Sequence, residues 1–597
     1  MAALAHGWLG RRQLIHSVES SKGTLSDLSS LLVALQPLLQ ELHSKKTPGR
    51  LQLVFSYLDD CCLAGEQRAV SDAFHHLRQA AARIGLELNT EKCEVIPCAG
   101  HHSQLDRSLF PPHTTYRDDG NFELLGGPIG DSAYCNSHTQ KRVDKAAAVL
   151  QALGELPDPQ VALLLLRHCA SFGKLVFSLR VVPHRAHQAA LHNFDAAVHA
   201  CLESFLCTSL DESEWSLATL STKLGGLGLR SAAQHSPAAF YASRAACHES
   251  CRKVDPLYAW DSTNPQPDVA AALGACNARM APGDHLTGTE EESSTQQAMS
   301  KAIDTRTLSR LREARQVDIQ YQAHLNHTTS SGAGQWLHVL PAKALRKHVD
   351  APHYRTMVQR WLRAPLFHEP FHCPFCDGMV DVYGDHCLVC SCGGDRTKRH
   401  NLLRNEVFYI CQSAGLAPEM ERPGLLQPRP LLGALPENGT HHDPNENRRP
   451  ADIYIPRWRA GAPAALDLAV TSGLRADAVR LSALDGAAAT KAYEDYKREY
   501  MDTEQLCLAE GITFIPIIAE ADGGGWGPQA HKVFNVLAKL KSTITGEHED
   551  TTASHILQSL NLTLHRENAR AILRRRPQFN AAGSTILSAA AAAQATP

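Results

Sequence analysis

A short segment rich in cysteine and histidine has the spacing of a metal site. Cys373 and Cys376 form a C-x2-C pair, and His386 and Cys390 follow within the same segment. Three thiolates and one imidazole suit a tetrahedral Zn²⁺ ion in a closed, structural site. So short a glycine-rich segment has little core of its own to order it without a metal. The pattern therefore predicts a structural zinc site.

The fourth ligand of this site stays open on spacing alone. Cys387 and Cys392 lie close enough to Cys390 in the chain to replace it, and His400 is a more distant candidate. Any of the three would complete a set of four soft or borderline ligands, so the residue types do not choose between them.

Two aspartates after residue 450 lie on a predicted pair of apolar strands. Asp452 precedes the first strand, and Asp467 lies within the second. Adjacent antiparallel strands would bring the two carboxylates together, where they can bind Mg²⁺ or Mn²⁺. A nearby ammonium can orient and polarise an attacking water, and Lys491 and Lys497 on the following helix are the candidates. The pattern indicates a metal-dependent hydrolytic centre.

A second acidic pair, Asp59 and Asp60, interrupts an apolar segment. Leu51–Tyr57 is typical of a strand, Cys61–Ala64 continues it after the acids, and a helix is predicted over about Val70–Ile84. Two carboxylates at the tip of a hairpin can converge on the same point in space. Two divalent ions held there can activate a 3′-hydroxyl and stabilise a leaving pyrophosphate.

The bulk properties limit what surrounds these sites. A chain of 597 residues with 43% hydrophobic and 20% charged residues is typical of several globular domains. A formal charge of -3 means that only local basic clusters can neutralise phosphates. Eighteen cysteines without an N-terminal apolar signal segment indicate a reducing compartment. The apolar runs Leu31–Leu39 and Val161–Leu166 are too short to cross a bilayer.

The segment that contains Asp59 and Asp60 resembles the palm of reverse transcriptases from non-LTR retrotransposons. Phe55–Asp60 matches the aromatic-x-Asp-Asp motif, and Gly85–Lys92 looks like the G-L-x-L-N-x-x-K segment that follows it. Phe122–Gly130 is similar to the strand that leads into the thumb. The resemblance implies an RNA-directed DNA polymerase ancestry with Asp59 and Asp60 as catalytic acids.

The departures from that family imply that polymerase activity is lost by truncation. Gly23–Leu42 looks like a damaged copy of the family's Q-G-D-P-L loop and its helix, without the Q-G-D-P core. The family also needs an aspartate on an earlier palm strand, and no residue here is a convincing candidate for it. A partner that supplies the missing fingers would be required for synthesis.

Residues 371–530 resemble the zinc knuckle and the PD-(D/E)xK-type endonuclease domain of the same elements. Arg449–Asp452 matches the P-D motif with one inserted alanine, and Asp467–Val470 matches the second acid strand. Lys497–Tyr500 is similar to the family's displaced lysine followed by a tyrosine on a helix. The resemblance therefore favours Lys497 over Lys491 and implies DNA nicking by Asp452, Asp467 and Lys497.

The cysteine- and histidine-rich segment also resembles the zinc knuckle of these elements. Gly384–Asn401 is similar to the family's C-C-H-C knuckle, in which the last cysteine follows the histidine by the spacing of Cys390. The basic stretch after it is expected to hold nucleic-acid backbone. Its candidate residues are Arg396, Lys398, Arg399 and Arg404.

The sequence therefore predicts a multidomain α+β protein. We expect a truncated reverse-transcriptase palm (1–135), a helical thumb and extension (136–260), a linker (261–300), a helical connector (301–370), a zinc knuckle (371–400), a PD-(D/E)xK-like α/β nuclease domain (401–545) and a partly disordered tail (546–597). The expected cofactors are structural Zn²⁺ and catalytic Mg²⁺ or Mn²⁺. The expected partners are DNA and the element's RNA, without a membrane, and the DNA substrate implies a nuclear location. The alternative function is a catalytically dead relic that only binds nucleic acid.

Overall fold

The computed structural model describes residues 2–6, 8–9, 25–44, 51–57, 60–97, 105–254, 258, 260, 266–289, 295–427 and 450–577. These residues form many helices and several small sheets, which confirms the mixed α+β class. The chain divides into two compact units, each built from three stretches. Unit 1 comprises residues 1–147, 172–196 and 231–303, and unit 2 comprises residues 148–171, 197–230 and 304–597.

The strands and α-helices are numbered along the chain. The first part contains β1 (Ala2–His6), β2 (Trp8–Leu9), α1 (Leu25–Ser44), β3 (Leu51–Tyr57), β4 (Asp60–Gly65), α2 (Gln67–Arg83), β5 (Glu87–Leu88), β6 (Glu94–Pro97), β7 (Thr115–Tyr116), β8 (Phe122–Leu124) and β9 (Gly127–Ile129). The helical middle contains α3 (Ser132–Gly154), α4 (Pro159–Leu165), α5 (Val176–Val181), α6 (Gln188–Leu206), α7 (Glu212–Thr219), α8 (Ala232–Val254), α9 (Pro267–Asn277), α10 (Gln296–Ala314), α11 (Ile319–Thr328) and α12 (Ala351–Trp361). The last part contains β10 (Phe371–His372), β11 (Met379–Val380), α13 (Asp385–Val389), α14 (Asp395–Ser413), β12 (Glu419–Met420), β13 (Ile453–Arg459), β14 (Ala462–Thr471), α15 (Val479–Ser482), α16 (Ala488–Glu499), α17 (Thr503–Ala509), β15 (Thr513–Glu520), α18 (Pro528–Thr545) and α19 (Glu549–Leu573).

Unit 1 contains a five-stranded sheet in the order β3-β4-β1-β6-β7. The strands β3 and β4 form the predicted hairpin, with Tyr57 paired to Asp60, and β1 lies antiparallel between β4 and β6. The helix α2 covers this sheet with Val70, Phe74 and Leu77, which are fully buried at the helical spacing seen in the sequence. The hairpin and the helix after it are therefore confirmed as elements.

Unit 2 contains a four-stranded sheet in the order β12-β13-β14-β15. The strand β14 runs antiparallel to β13 and parallel to β15. A parallel pair cannot be joined by a tight turn, so the chain crosses over through α15, α16 and α17. The helices α14, α18 and α19 cover one face of the sheet around Leu466, Leu468 and Ile517. Because side chains alternate along a strand, Asp467 faces the other side, where α16 packs.

Two helices lie in segments to which the sequence analysis assigns no secondary structure. Within the predicted tail, α19 is a 25-residue helix whose Ile556, Leu560 and Leu564 pack into the core of unit 2. Within the predicted linker, α9 buries Val269 and Cys276 in unit 1. Small and polar residues between the apolar ones mask the helical period in both segments. Residues 578–597 lie outside the described part of the chain.

One apolar segment has the length and composition of a membrane span. Pro159–Val181 contains 23 residues with a mean hydropathy of 1.4. In the structure it is divided into α4, a π-helical turn, a 3₁₀ turn and α5, and core segments of soluble proteins often share this composition. It is weak evidence for a membrane.

A buried ionic cluster connects the end of β15 to the cysteine-rich segment. Arg360 on α12 donates to Asp522 Oδ1 at 2.7 Å and to Asp385 Oδ1 at 2.8 Å. Arg363 donates two hydrogen bonds, both of 2.7 Å, to the two oxygens of the same Asp385 carboxylate. The second oxygen of Asp522 contacts His324 Nδ1 at 2.9 Å. All of these side chains are buried or nearly so, so each charge depends on the others for neutralisation.

Replacing Arg360 should therefore destabilise unit 2 strongly. We expect Arg360→Ala to lower the free energy of unfolding by about 3–5 kcal/mol, because Asp522 and Asp385 would stay buried without the guanidinium that they share. Guanidinium unfolding, followed through the fluorescence of the buried Trp336 and Trp361, measures the change. Arg306→Ala breaks only a more exposed pair with Glu313 and should cost less than about 1 kcal/mol. Equal shifts for both variants would contradict this role.

Candidate functional site

Cys373, Cys376, His386 and Cys390 form one cluster in the structure. Their ligand atoms all lie within 4.8 Å of one another. Cys376 Sγ lies 3.3 Å from His386 Nε2 and 3.6 Å from Cys390 Sγ. This set of three sulfurs and one imidazole nitrogen could hold a metal ion in a tetrahedral arrangement.

Two short elements position these ligands. The hairpin β10–β11 holds the C-x2-C pair at its tip, where Cys373 N donates to Gly378 O at 2.8 Å. The helix α13 carries His386, and Cys390 follows at its end. Gly378 has to be glycine, because a Cβ there would lie 2.5 Å from the ring of His386. These two elements place the four ligands, and Ile572 on the distant helix α19 completes the packing around them.

The alternatives for the fourth ligand are placed elsewhere. Cys387 is 1% exposed and packs against Val380, Leu388 and Ile572 in a small apolar core. Burial in this core raises the pKa of Cys387 to about 12. Among the described residues, neither Cys392 nor His400 belongs to the group of converging ligand atoms.

Asp452, just before β13, lies beside Asp467 on the antiparallel strand β14. Asp452 directly precedes β13, and its amide donates to Leu466 O at 3.0 Å, one residue before Asp467. Asp452 Oδ2 also accepts from Leu468 N at 2.7 Å, one residue after it. Burial raises the pKa of Asp467 despite the opposing effect of Lys497, and the charge of Asp452 acts in the same direction as burial. The two carboxylates are thus close enough to interact.

Lys497 completes this arrangement from α16. Its Nζ lies 2.8 Å from Asp467 Oδ2, and both side chains are about one fifth exposed. Burial alone would lower the pKa of Lys497, but the contact with Asp467 outweighs it and raises the pKa. Lys491 instead pairs with Asp485 at 2.8 Å, where both side chains are half exposed. The structure therefore places Lys497, and not Lys491, at the acid pair.

His400 also belongs to this site, and sequence reasoning did not assign it there. Its Nε2 lies 3.2 Å from Asp452 Oδ2 and 3.0 Å from Leu468 O. A signal was present in the sequence, because Leu403 and Val407 follow His400 at helical spacing and are fully buried against the sheet. That spacing puts the histidine on the inner face of α14.

The basic residues after the cluster have different environments. Arg396 and Lys398 are exposed, as a nucleic-acid contact requires. Arg404 is half-buried and bonds to Glu421. Arg399 is a correction: it is 4% exposed, and its guanidinium donates to Asn568 Oδ1 at 2.7 Å and to Leu388 O at 2.9 Å. The Arg399 side chain points into the protein from its helix, so its guanidinium does not face a phosphate.

The acidic pair in unit 1 is only partly described. Asp60 begins β4 opposite Tyr57 and is half-buried, at the tip of the hairpin. Asp59 lies outside the described residues, and so does Arg449 in the P-D segment. The hairpin geometry therefore fits the predicted placement of one of the two acids.

A further group, His327, Glu520 and Asp522, has ligand atoms within 4.8 Å of one another and is fully buried. This composition could hold a metal ion. Each acid already has protein partners, however. Glu520 accepts from the amides of Gly473 and Gly523 at 3.0 and 2.7 Å, and Asp522 belongs to the ionic cluster around Arg360. Neutralisation by protein cations and amides accounts for this group without an ion.

Comparison with known proteins does not assign this chain to a family. No protein-family model matches the chain, and no curated protein matches it. The residues that could do chemistry are therefore interpreted from their positions: four converging ligands in one cluster, and two carboxylates, a lysine and a histidine in the other.

The choice of Cys390 as fourth ligand can be tested by metal content. We expect purified protein to carry about one ion per chain at the cluster, as four-ligand structural sites do. Cys390→Ser should remove most of that ion, because one of four ligands is lost. Cys392→Ser should leave the content unchanged. Atomic emission spectroscopy measures the ratio of metal to protein. Loss of metal in the Cys392 variant alone would reverse the assignment.

Proposed function

We propose that unit 2 is a divalent-metal-dependent DNA endonuclease that nicks one strand of a duplex. The observation that carries the proposal is the position of Asp452, which is hydrogen-bonded to β14 on either side of Asp467, with Lys497 Nζ 2.8 Å from Asp467. Two acids and one lysine converging from three stretches of chain are the groups that metal-assisted phosphodiester hydrolysis needs. The proposal extends to the family: we infer that the chain derives from a non-LTR retrotransposon.

The chemistry assigned to each residue follows from its position. Asp452 and Asp467 would hold Mg²⁺ or Mn²⁺, since carboxylate oxygens are the ligands that these hard cations prefer. A divalent ion held there supplies Lewis-acid activation of water and of the scissile phosphate. The Lys497 ammonium lies beside the carboxylates and can orient the attacking water and offset developing negative charge. Burial of Asp467 against α16 keeps these charges in a fixed, partly water-excluded geometry.

The two remaining features fit the same assignment. The cluster of three cysteines and His386 offers four protein ligands, which favours Zn²⁺ in a structural role and leaves no open position for catalysis. Arg396 and Lys398 begin the helix that follows the cluster, and both are exposed. We propose that they contact the backbone of a nucleic acid, with DNA as the substrate and the nucleus as the location.

The hairpin in unit 1 supports descent from a polymerase but not polymerase activity. The strand β1 lies next to β4 in the sheet, and its sequence, AALAH, contains no carboxylate. A two-metal polymerase centre needs acids from a neighbouring strand as well as from the hairpin. We therefore propose that this chain does not catalyse templated synthesis by itself.

Substitutions at the acid pair test the nuclease. We expect the protein to nick supercoiled plasmid with Mg²⁺ or Mn²⁺, and Asp452→Asn, Asp467→Asn and Lys497→Ala each to slow nicking by about 100-fold or more. Gel electrophoresis of relaxed and supercoiled forms measures the rates. Lys491→Ala and Asp495→Asn change exposed charges nearby and should leave the rate close to wild type.

Two results would overturn the assignment. Nicking that survives Asp452→Asn would place the activity elsewhere. Salt-sensitive DNA binding by the wild type without any cleavage would support the alternative of a relic that only binds nucleic acid, since backbone contacts weaken steeply with salt.

A primer-extension assay tests the second proposal. We expect no templated extension of a DNA primer on RNA with Mg²⁺, because the strand beside the hairpin offers no acid for a metal pair. Gel analysis of a labelled primer measures the products, with an active reverse transcriptase as the positive control. Templated products that disappear in Asp60→Asn would contradict the proposal.

A further inference from the structure

We propose that His400 is a positioning residue for the divalent ion at Asp452 and Asp467, an inference that rests on the proposed function of this acid pair. His400 would not bind the ion. It would hold the Asp452 carboxylate in the orientation that the ion requires. The inference comes from the hydrogen bonds around one peptide group, that of Leu468.

The surroundings of His400 fix the protonation of one ring nitrogen, Nε2, while the other, Nδ1, lies 3.2 Å from Asn401 Oδ1. Leu468 O lies 3.0 Å from His400 Nε2, and a carbonyl oxygen can only accept a hydrogen bond. Nε2 must therefore carry a proton, which it shares with Asp452 Oδ2 at 3.2 Å. A protonated ring nitrogen has no lone pair for a metal. The ring nitrogen that faces the acid pair is thus a donor and not a ligand.

The Leu468 peptide connects the two acids through this histidine. Leu468 N directly follows Asp467 in the chain and donates to Asp452 Oδ2 at 2.7 Å, while Leu468 O accepts from His400. One carboxylate oxygen of Asp452 therefore receives two donors, one from β14 and one from α14. Two donors on one oxygen restrict the rotation of the carboxylate and fix it relative to the strand that carries Asp467.

The ring of His400 is itself held in place. Leu403 and Val407 anchor the same face of α14 in the core of unit 2. Arg399, one residue before His400, donates to Leu388 O in the helix that carries His386. The direction of the imidazole is thus set by rigid elements on both sides. Such support is what a metal site needs to be preformed before the ion arrives.

Binding of Mn²⁺ alone tests the inference without requiring catalysis. Protein already loaded with zinc is titrated with Mn²⁺, and the free ion is measured by electron paramagnetic resonance. The binding that Asp467→Asn removes defines the acid-pair site. We expect His400→Ala to raise the dissociation constant of that site by about 10-fold or more, the usual effect of losing a hydrogen bond to a ligand. His400→Gln, which restores a neutral N–H donor, should recover much of the affinity.

The same variants in the nicking assay separate positioning from a general structural role. We expect His400→Ala to raise the Mn²⁺ concentration that gives half-maximal nicking, while the rate at saturating Mn²⁺ changes much less. Asp495→Asn, which removes an exposed carboxylate on α16, should change neither quantity. Thermal unfolding and zinc content show whether each variant remains folded.

The outcomes distinguish this inference from the proposed function. A folded His400→Ala variant that binds Mn²⁺ with wild-type affinity would overturn the positioning role, whether or not the protein nicks DNA. A wild type that binds Mn²⁺ at the acid pair but never nicks DNA would overturn the proposed function, and loss of that binding in His400→Ala would still support the role of His400. Equal losses in His400→Ala and His400→Gln would also contradict it.

Discussion

The neutralisation of one buried carboxylate, Asp522, is the constraint on which unit 2 depends. Burial alone would raise its pKa, but His324 and Arg360 hold the pKa well below the ordinary range, so the group stays charged inside the protein. Removing such charges from water is costly unless they are paired and hydrogen-bonded. Arg360 meets this requirement while also binding Asp385, in the helix that carries His386. The end of β15 and the cysteine cluster are therefore tied together by charge rather than by apolar contact alone.

The pairing of partly buried charges with nearby donors and cations also organises the proposed catalytic site. Lys497 compensates Asp467, and the donors from His400 and Leu468 compensate Asp452. The helix α14 links the two regions, since it begins beside the cysteine cluster and carries His400 to the acid pair. A structural metal in the cluster would thus support the proposed catalytic ion at a distance, by holding the start of that helix.

Sequence reasoning succeeded where the information was local. The hairpin β3–β4, the helix α2, the paired strands β13 and β14 and the four clustered ligands all follow from periodicity or short spacing. It failed where the outcome depends on distant partners. The burial of Arg399 depends on Asn568, far along the chain, and α19 is stabilised by a core that forms only in the folded unit. His400 was visible as an inward position on its helix, but its partner Asp452 could not be inferred from spacing.

The parallel pairing of β14 with β15 has a consequence for the order of assembly. One acid precedes β13 and the other lies on β14, and these strands form a hairpin, so a local contact brings the acids together at small loop-closure entropy. Lys497 lies in the long crossover between Thr471 and Thr513, and it reaches Asp467 only when that crossover packs and β15 docks. The hairpin by itself therefore brings two like charges together without the cation that the crossover supplies. A divalent ion bound to the two acids would relieve this repulsion and so favour the hairpin before the crossover packs.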